Sequence, residues 1–394
     1  MGETLEHKCG LVMAYTLHDA YAMIKDLQHR GKEAAGIAAV GESRIDVLKW
    51  VGKVDRFDQE NLHKIFPGND YYAFLAHVRY ATHGRKEREQ ILLDAHPHTL
   101  GGTRIEYGDH VLVLDCDAVM VHNGQVDATS LEQKTNVKFK TGCDTEVLLH
   151  YYNEVGERQL MQTVEGSYTL AIADRRKRDV IVMRDRTGIR IGALGKKSGK
   201  YCVASEDVAI RKNGGQLQED LEPGAIYYFD PYGQYKKERV MGGSEVGAKL
   251  AHCMFEYHYL ADPDSVINGL SVRALRAQLG KSLASELRLG DMDFVTYVPE
   301  SPEAAARSYA DSVNLPLIDV FYKPNSDRSF MGSTPQERHL SIESNLFLLP
   351  SAVQLIRGKK LLVIDDSLVR GNVVQRVKKL LLEVAGVQKA VILS

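Results

Sequence analysis

The segment Leu361-Leu362-Val363-Ile364-Asp365-Asp366-Ser367-Leu368-Val369-Arg370-Gly371-Asn372 constrains the fold more than any other part of the chain. Four consecutive apolar residues are too few for a buried helix and suit a strand covered on both faces. The polar turn leads into Val373–Val384, where apolar residues at 373, 377, 380, 381 and 384 keep helical spacing until Gly386 ends it. Strand, turn and helix in that order form a βα unit of a parallel sheet. Phe294–Val298, Leu317–Phe321 and Ala390–Leu393 read as further strands, with a long helix over Ser271–Glu286 ahead of them.

The first 235 residues have a different texture. Strands are predicted over Cys9–Tyr15, Ala35–Val40, Phe74–Tyr80, Val111–Leu114, Val119–His122, Tyr168–Ala173, Val180–Arg184, Tyr201–Ala204 and Ala225–Phe229. Helical spacing is confined to Leu17–Gln28, with Tyr21, Ile24 and Leu27 on one face, and to Asp144–Tyr152. Hairpins with interspersed helices predict a layered sheet-and-helix domain. The boundary falls near residues 232–247, giving one domain over 9–235 and a second over 248–394. At roughly 150 residues per domain, the length accommodates both.

Composition excludes several function classes. The net charge of −2 gives no basic footprint for nucleic acid or an anionic membrane. No apolar stretch approaches the roughly 18 residues that span a bilayer. Met1–Lys8 is polar, unlike a secretory signal. Cysteines at 9, 116, 143, 202 and 253 are odd in number and lack any C-x-x-C pair. That spacing predicts a reducing, cytoplasmic setting and neither a disulfide framework nor a structural zinc site.

Polar groups gather at strand ends and helix starts, where a preorganised site is built. Cys9-Gly10 opens the first strand, and Gln28-His29-Arg30-Gly31 follows the first helix. His77-Val78-Arg79-Tyr80-Ala81-Thr82 and His122-Asn123-Gly124 end strands, and Gly142-Cys143-Asp144-Thr145-Glu146 begins a helix. Taken singly, Arg79 reads equally as half of a surface ion pair and Asp144 as a helix N-cap. His29, His77 and His122 share no metal-ligand spacing and are read as structural.

In this order and spacing these segments resemble the class II glutamine amidotransferase domain, an N-terminal-nucleophile fold with a four-layer αββα sandwich. Further stretches, Asp185–Arg190, Val203–Glu206 and Cys253–Ser265, are similar to the amidophosphoribosyltransferase family. The resemblance implies Cys9 as nucleophile with its own α-amino group as base, so that Met1–Lys8 would be a propeptide. It implies Asn123 and the Gly124 N–H as an oxyanion hole. Arg79 would pair with the glutamine α-carboxylate and Asp144 with its ammonium, with Arg30 in support.

In the second domain a buried strand ending in two carboxylates and a Ser/Gly turn suits a phosphorylated sugar. The turn's N–H groups would hold a 5-phosphate, and the acidic pair would reach ribose hydroxyls. The segment resembles the phosphoribosyl pyrophosphate signature of type I phosphoribosyltransferases. That resemblance assigns Asp365, Asp366, Ser367, Arg370, Gly371 and Asn372 to the substrate, with Glu300 and Ser301 at a pyrophosphate loop. Lys323–Gln336 is similar to the closing loop, with Lys323 and Arg328 against pyrophosphate. Mg²⁺ would be held mainly by substrate oxygens, with Asp365 and Asp366 its protein ligands.

The chain departs from the family pattern with Glu300-Ser301-Pro302 in place of Asp-Ser-Gly, and with Asn372-Val373 where hydroxyl residues are usual. Its second domain is expected to be shortened at the C-terminus. Cys253 alone matches a cluster-ligand position, so no iron–sulfur cluster is expected. The implied activity joins glutamine, water and phosphoribosyl pyrophosphate into 5-phosphoribosylamine, glutamate and pyrophosphate, the first step of purine synthesis. Homo-oligomerisation and feedback by purine nucleotides are implied with it. Two other readings stand beside this one: a glutaminase with another acceptor, and a degenerate paralogue that binds phosphoribosyl pyrophosphate or nucleotides as a regulator.

Overall fold

The computed structural model describes residues 9–67, 70–80, 87–133, 135, 137–241, 250–324, 345–368 and 371–394. The chain divides into two compact units, Met1–Cys253 and Met254–Ser394.

The first unit is built on antiparallel strands. They are Gly10–Ala14 (β1), Ala34–Gly41 (β2), Ile45–Val51 (β3), Tyr71–Arg79 (β4), His98–Glu106 (β5) and His110–Val126 (β6). Gly166–Asp174 (β7), Val180–Arg184 (β8), Ala193–Lys197 (β9), Lys200–Ala204 (β10), Gln216–Asp220 (β11), Ala225–Phe229 (β12) and Tyr235–Arg239 (β13) complete the set. Their order is β11-β9-β10-β1-β4-β2-β3-β6-β7-β8-β12-β13, with β5 on β6.

This continuous path folds into two facing layers. One apolar core lies between them and joins Leu11, Met13, Ala38 and Val47 to Val121, Ala171, Val182 and Tyr227. A second core packs the outer face of β1–β4 under the helices Leu17–Asp26 and Asp207–Lys212. A third packs the outer face of β6–β8 under the helix Asp144–Thr163. The result is helix, sheet, sheet, helix.

The sequence predicts two strands at Val111–Leu114 and Val119–His122, and the structure corrects this to one, β6. Val111 and Val113 pair with β3, while Ala118–Val126 pair with β7. The strand turns the corner between layers at Asp115, whose φ is 57°. The buried Asp46 carboxylate receives the Asp115 N–H at 3.0 Å, which holds the corner. Alternating apolar residues on either side of Asp115-Cys116-Asp117 hide this continuity in the sequence.

Leu17–Asp26 buries Leu17, Ala20, Tyr21, Met23 and Ile24, as its periodicity predicts. Thr16 accepts the Asp19 N–H at 3.0 Å as N-cap, a contribution of about 1 kcal/mol. The helix from Asp144 runs to Thr163, past the predicted Tyr152, through a kink at Gly156.

The second unit holds a parallel sheet of Phe294–Tyr297, Lys360–Ile364 and Lys389–Leu393, with Lys360–Ile364 in the middle. Leu361 and Val363 face one apolar cluster, and Leu362 and Ile364 face the other. Burial on both faces is why this strand reads as an unbroken apolar run. Two expectations need correction. Leu317–Phe321 forms no regular strand: Leu317 makes one bridge to Val295, and only Phe321–Tyr322 is extended. The helix over Val373–Val384 is α-helical across Asn372–Lys378 and widens to a π-helix over Lys379–Val384.

Candidate functional site

Cys9 is buried immediately ahead of β1, whose Gly10 pairs with Val78 on β4. The register sets Cys9 next to the end of β4, where Arg79 and Tyr80 lie. Burial pushes the Cys9 thiol above its usual range, opposed by a hydrogen bond from the Tyr80 backbone and by the charges of Arg79, Arg30 and Arg190. A thiolate formed here has three cations around it.

Arg30 braces the backbone of this cysteine. Its Nε donates to the Cys9 carbonyl at 3.0 Å, and its Nη1 donates to Glu206 Oε1 at 2.6 Å, both groups fully buried. Glu206 also meets His29 Nε2 at 2.8 Å. The Leu11 N–H donates to Ser205 Oγ at 3.0 Å. Ser205 and Glu206 thus brace the start of β1 from β10, which the Val203–Glu206 motif by itself does not reveal.

Arg79 is buried and held by two carboxylates, Glu33 through Nη1 and Asp94 through Nη2 at 3.4 Å. Burial works against its charge, but Glu33, Cys143 and Asp94 more than offset that and keep the guanidinium protonated. It is not half of a surface pair. Asp94 is fully buried, whereas Glu33 retains some exposure and is the partner able to yield.

Asn123 lies on β6 with 0% exposure, and neither its Oδ1 nor its Nδ2 has a hydrogen-bond partner. An amide buried unsatisfied costs about 1–3 kcal/mol, so such a group in a core needs a reason. Gly124 follows with φ 158°, and a Cβ there would sit 2.1 Å from the Ser167 carbonyl oxygen. Only glycine fits. His77 on β4 donates from Nε2 to the His122 carbonyl at 3.0 Å, tying the end of β4 to the strand that carries Asn123. Burial lowers the His77 pKa to about 3, so it stays neutral as a structural donor.

Asp144 is the first residue of its helix, and Cys143 is the N-cap. The Asp144 carboxylate does not cap that helix: it accepts the Val126 N–H at 3.0 Å at the end of β6. Its Oδ1 lies 3.6 Å from His122 Nδ1. The Thr145 hydroxyl receives contacts from His122 Nδ1 at 3.0 Å and His96 Nε2 at 2.8 Å. Sequence reasoning missed Thr145, Glu33, Asp94 and Glu206 because each acts through a partner distant in the chain.

In the second unit Asp365 follows Ile364 at the C-terminal end of the central strand, where ligands of open α/β sheets bind. It is 8% exposed, and its Oδ1 accepts the Asp366 N–H at 3.0 Å. Burial and the adjacent Asp366 charge raise its pKa to about 7, against the pull of the nearby Lys323. Asp366 Oδ1 accepts from the Ser367 hydroxyl at 3.0 Å. Gly371, at φ 72°, turns the chain into the helix that begins at Asn372. Glu300 is exposed and Ser301 half-buried beyond the end of the neighbouring strand Phe294–Tyr297. Met1–Lys8, Arg328, Arg370 and most of the Lys323–Gln336 loop lie outside the described residues.

Residues 108–241 match the family profile of a glutamine amidotransferase domain, a span that includes Asn123, Gly124 and Asp144. Over 388 residues the chain is 32% identical to the amidophosphoribosyltransferase of Mycobacterium tuberculosis, covering 96% of this chain and 69% of that one. It is 29% identical to the Bacillus subtilis amidophosphoribosyltransferase over 406 residues, covering 99% and 79%. Among solved structures, it resembles the B. subtilis glutamine phosphoribosylpyrophosphate amidotransferase complexed with ADP and GMP. That likeness has a TM-score of 0.78 at 27% identity and covers 98% of this chain and 80% of that one.

Proposed function

The chain belongs to the amidophosphoribosyltransferase family, and we propose that it carries out the family reaction as two coupled half-reactions. Glutamine and water give glutamate and ammonia in the first unit. Ammonia and phosphoribosyl pyrophosphate give 5-phosphoribosylamine and pyrophosphate in the second.

In the first half-reaction the Cys9 sulfur attacks the glutamine side-chain carbonyl. Its own α-amino group takes the thiol proton and passes it to the leaving ammonia, which requires removal of Met1–Lys8. Asn123 Nδ2 and the Gly124 N–H donate to the oxyanion, and water then cleaves the thioester to glutamate. The unsatisfied Asn123 amide supports this role, since an oxyanion would supply its missing partner. The glutamine α-carboxylate takes the place of Glu33 on Arg79, and Asp144 receives the ammonium.

In the second half-reaction Asp365 and Asp366 accept hydrogen bonds from the ribose hydroxyls, while the N–H groups of the turn before Asn372 donate to the 5-phosphate. Ammonia attacks C1 of the ribose and pyrophosphate departs. The acidic pair suits Mg²⁺, because a hard cation offsets both the burial and the like charge of Asp366 that raise Asp365. That ion would neutralise pyrophosphate charge. Lys323, Arg328, Arg370, Glu300 and Ser301 complete the proposed substrate contacts. Purine nucleotides are proposed as regulators, following the ADP and GMP named with the B. subtilis structure. Homo-oligomers in the cytoplasm are proposed too; among the described residues no helix is long and apolar enough to cross a membrane.

The observation that carries the reading over a glutaminase with another acceptor is the Asp365–Asp366 pair at the end of a buried parallel strand. Pyrophosphate release from phosphoribosyl pyrophosphate and Mg²⁺, with glutamine and separately with ammonium, tests it. Release with both donors is expected. Release with neither contradicts the proposal, and nucleotide binding without turnover favours the regulator.

A further inference from the structure

Three ligating side chains meet beside the proposed glutamine site without a role in the reaction. One nitrogen each of His96 and His98 and the Cys143 sulfur lie within 4.8 Å of one another. From bond lengths of 2.0–2.3 Å, ligand atoms on a tetrahedral zinc sit roughly 3.3–3.8 Å apart. About an ångström of side-chain adjustment closes the set around one ion.

The state of the two imidazoles is unusual for a core. Both are buried, and His96 Nδ1 and His98 Nε2 have no hydrogen-bond partner. His98 is hydrogen-bonded to the Asp94 backbone, and with Nε2 unpartnered that bond belongs to Nδ1. That bond places the proton on Nδ1 and leaves the Nε2 lone pair available to a ligand, and a histidine ligand held by a backbone carbonyl is a recurring feature of metal sites. His96 precedes and His98 opens β5, with only Pro97 between them, so a rigid segment carries both rings.

Cys143 is the N-cap of the helix Asp144–Thr163, with no side-chain cap bond of its own. Its thiol makes only long contacts, 3.5 Å to Thr145 Oγ1 and 3.7 Å to Asp144 Oδ1. Burial and the neighbouring Asp144 hold the thiol protonated in the metal-free protein, so a binding cation would displace its proton. The charges around the cluster are mixed: Arg79 and Lys49 oppose a cation, and Asp94 and Asp144 favour one. Lys49 is buried with its Nζ on the Ala95 carbonyl at 2.8 Å.

We propose that His96, His98 and Cys143 form a binding site for a borderline-soft divalent cation of the Zn²⁺ class, with water in the fourth position. Two imidazoles and a thiolate select such an ion over Mg²⁺, which prefers oxygen. The site is distinct from the Mg²⁺ assigned to the second unit and does not depend on the enzymatic reading. Chain spacing conceals it, since 44 residues separate His98 and Cys143 in a pattern no short motif captures.

Cobalt titration of the reduced full-length protein tests the site. Wild type should develop a thiolate-to-cobalt charge-transfer band and tetrahedral d–d bands that saturate at one equivalent. Equimolar Zn²⁺ should bleach them. Cys143→Ser should lose the charge-transfer band, His98→Gln should weaken binding at least tenfold, and Cys9→Ser should retain the full spectrum. One equivalent of Zn²⁺ should also raise the Tm of wild type and leave that of Cys143→Ser unchanged. A band that survives Cys143→Ser, a band lost in Cys9→Ser, or a folded wild type that binds no cobalt overturns the assignment.

Discussion

The two units hold their candidate sites in opposite ways. In the first, Cys9, Arg30, Arg79 and Asn123 are buried, and nearly every group is fixed by another before a substrate arrives. In the second, Asp365 is buried but Glu300 is exposed, while Ser301, Ser367 and Asn372 are half-buried. The reacting carboxamide of glutamine is neutral and offers little charge at the reaction centre, so the protein supplies the order there in advance. A polyanionic sugar brings its own charge, and a turn with a few donors can assemble around it.

Substitutions should separate the halves. Among the transferase residues the largest effect is expected at Asp366: Asp366→Asn should reduce ammonia-dependent synthesis at least a hundredfold while glutaminase activity persists. Equal loss of both activities would break the contrast. Asn123→Ala should follow, lowering the kcat of glutamine hydrolysis about 10²–10³-fold, the usual cost of one oxyanion donor. Its thermal midpoint should move little, because the amide forms no hydrogen bond to lose. Arg79→Ala should raise the glutamine KM at least tenfold, from loss of a charged pair that contributes about 1.5–3 kcal/mol. Unchanged KM would remove Arg79 from the clamp.

The smaller effects sharpen the comparison. Glu33→Gln should lower the glutamine KM a few-fold, since Glu33 competes for the Arg79 guanidinium. Asp365 should give the second unit a pH dependence of its own near neutrality. With its pKa near 7, the carboxylate ionises as pH rises through that value, so Mg²⁺-dependent substrate binding should strengthen over the same window. Folding stability runs the other way. A carboxyl whose folded pKa is raised binds more protons folded than unfolded, so its contribution is full below about 3.9 and is lost as pH rises through about 7. Asp365→Asn should flatten both profiles, the first by calorimetry and the second by denaturant titration.

Legibility followed the same division. The βα unit at Lys360–Gly371 was readable because a strand buried on both faces leaves an unbroken apolar run and its turn is local in sequence. The antiparallel unit was readable strand by strand at Val180–Arg184 and Ala225–Phe229, and less so where a strand changes layers at Asp115. Five further strands, β3, β5, β9, β11 and β13, escaped the sequence reading; β5, β11 and β13 expose polar residues on much of their length. Among site residues, Cys9, Arg79 and Asn123 stand out by motif. Glu206, Thr145 and Glu33 do not, because their importance lies in hydrogen bonds to residues up to 177 positions away.

The central claim is that ammonia is made in one unit and used in the other. Cys9→Ala removes the thiol and leaves the second unit untouched. Assayed for pyrophosphate release, this variant should show no glutamine-dependent activity and ammonium-dependent activity equal to wild type. Retention of glutamine-dependent activity, or equal loss with both nitrogen donors, would contradict the division of labour.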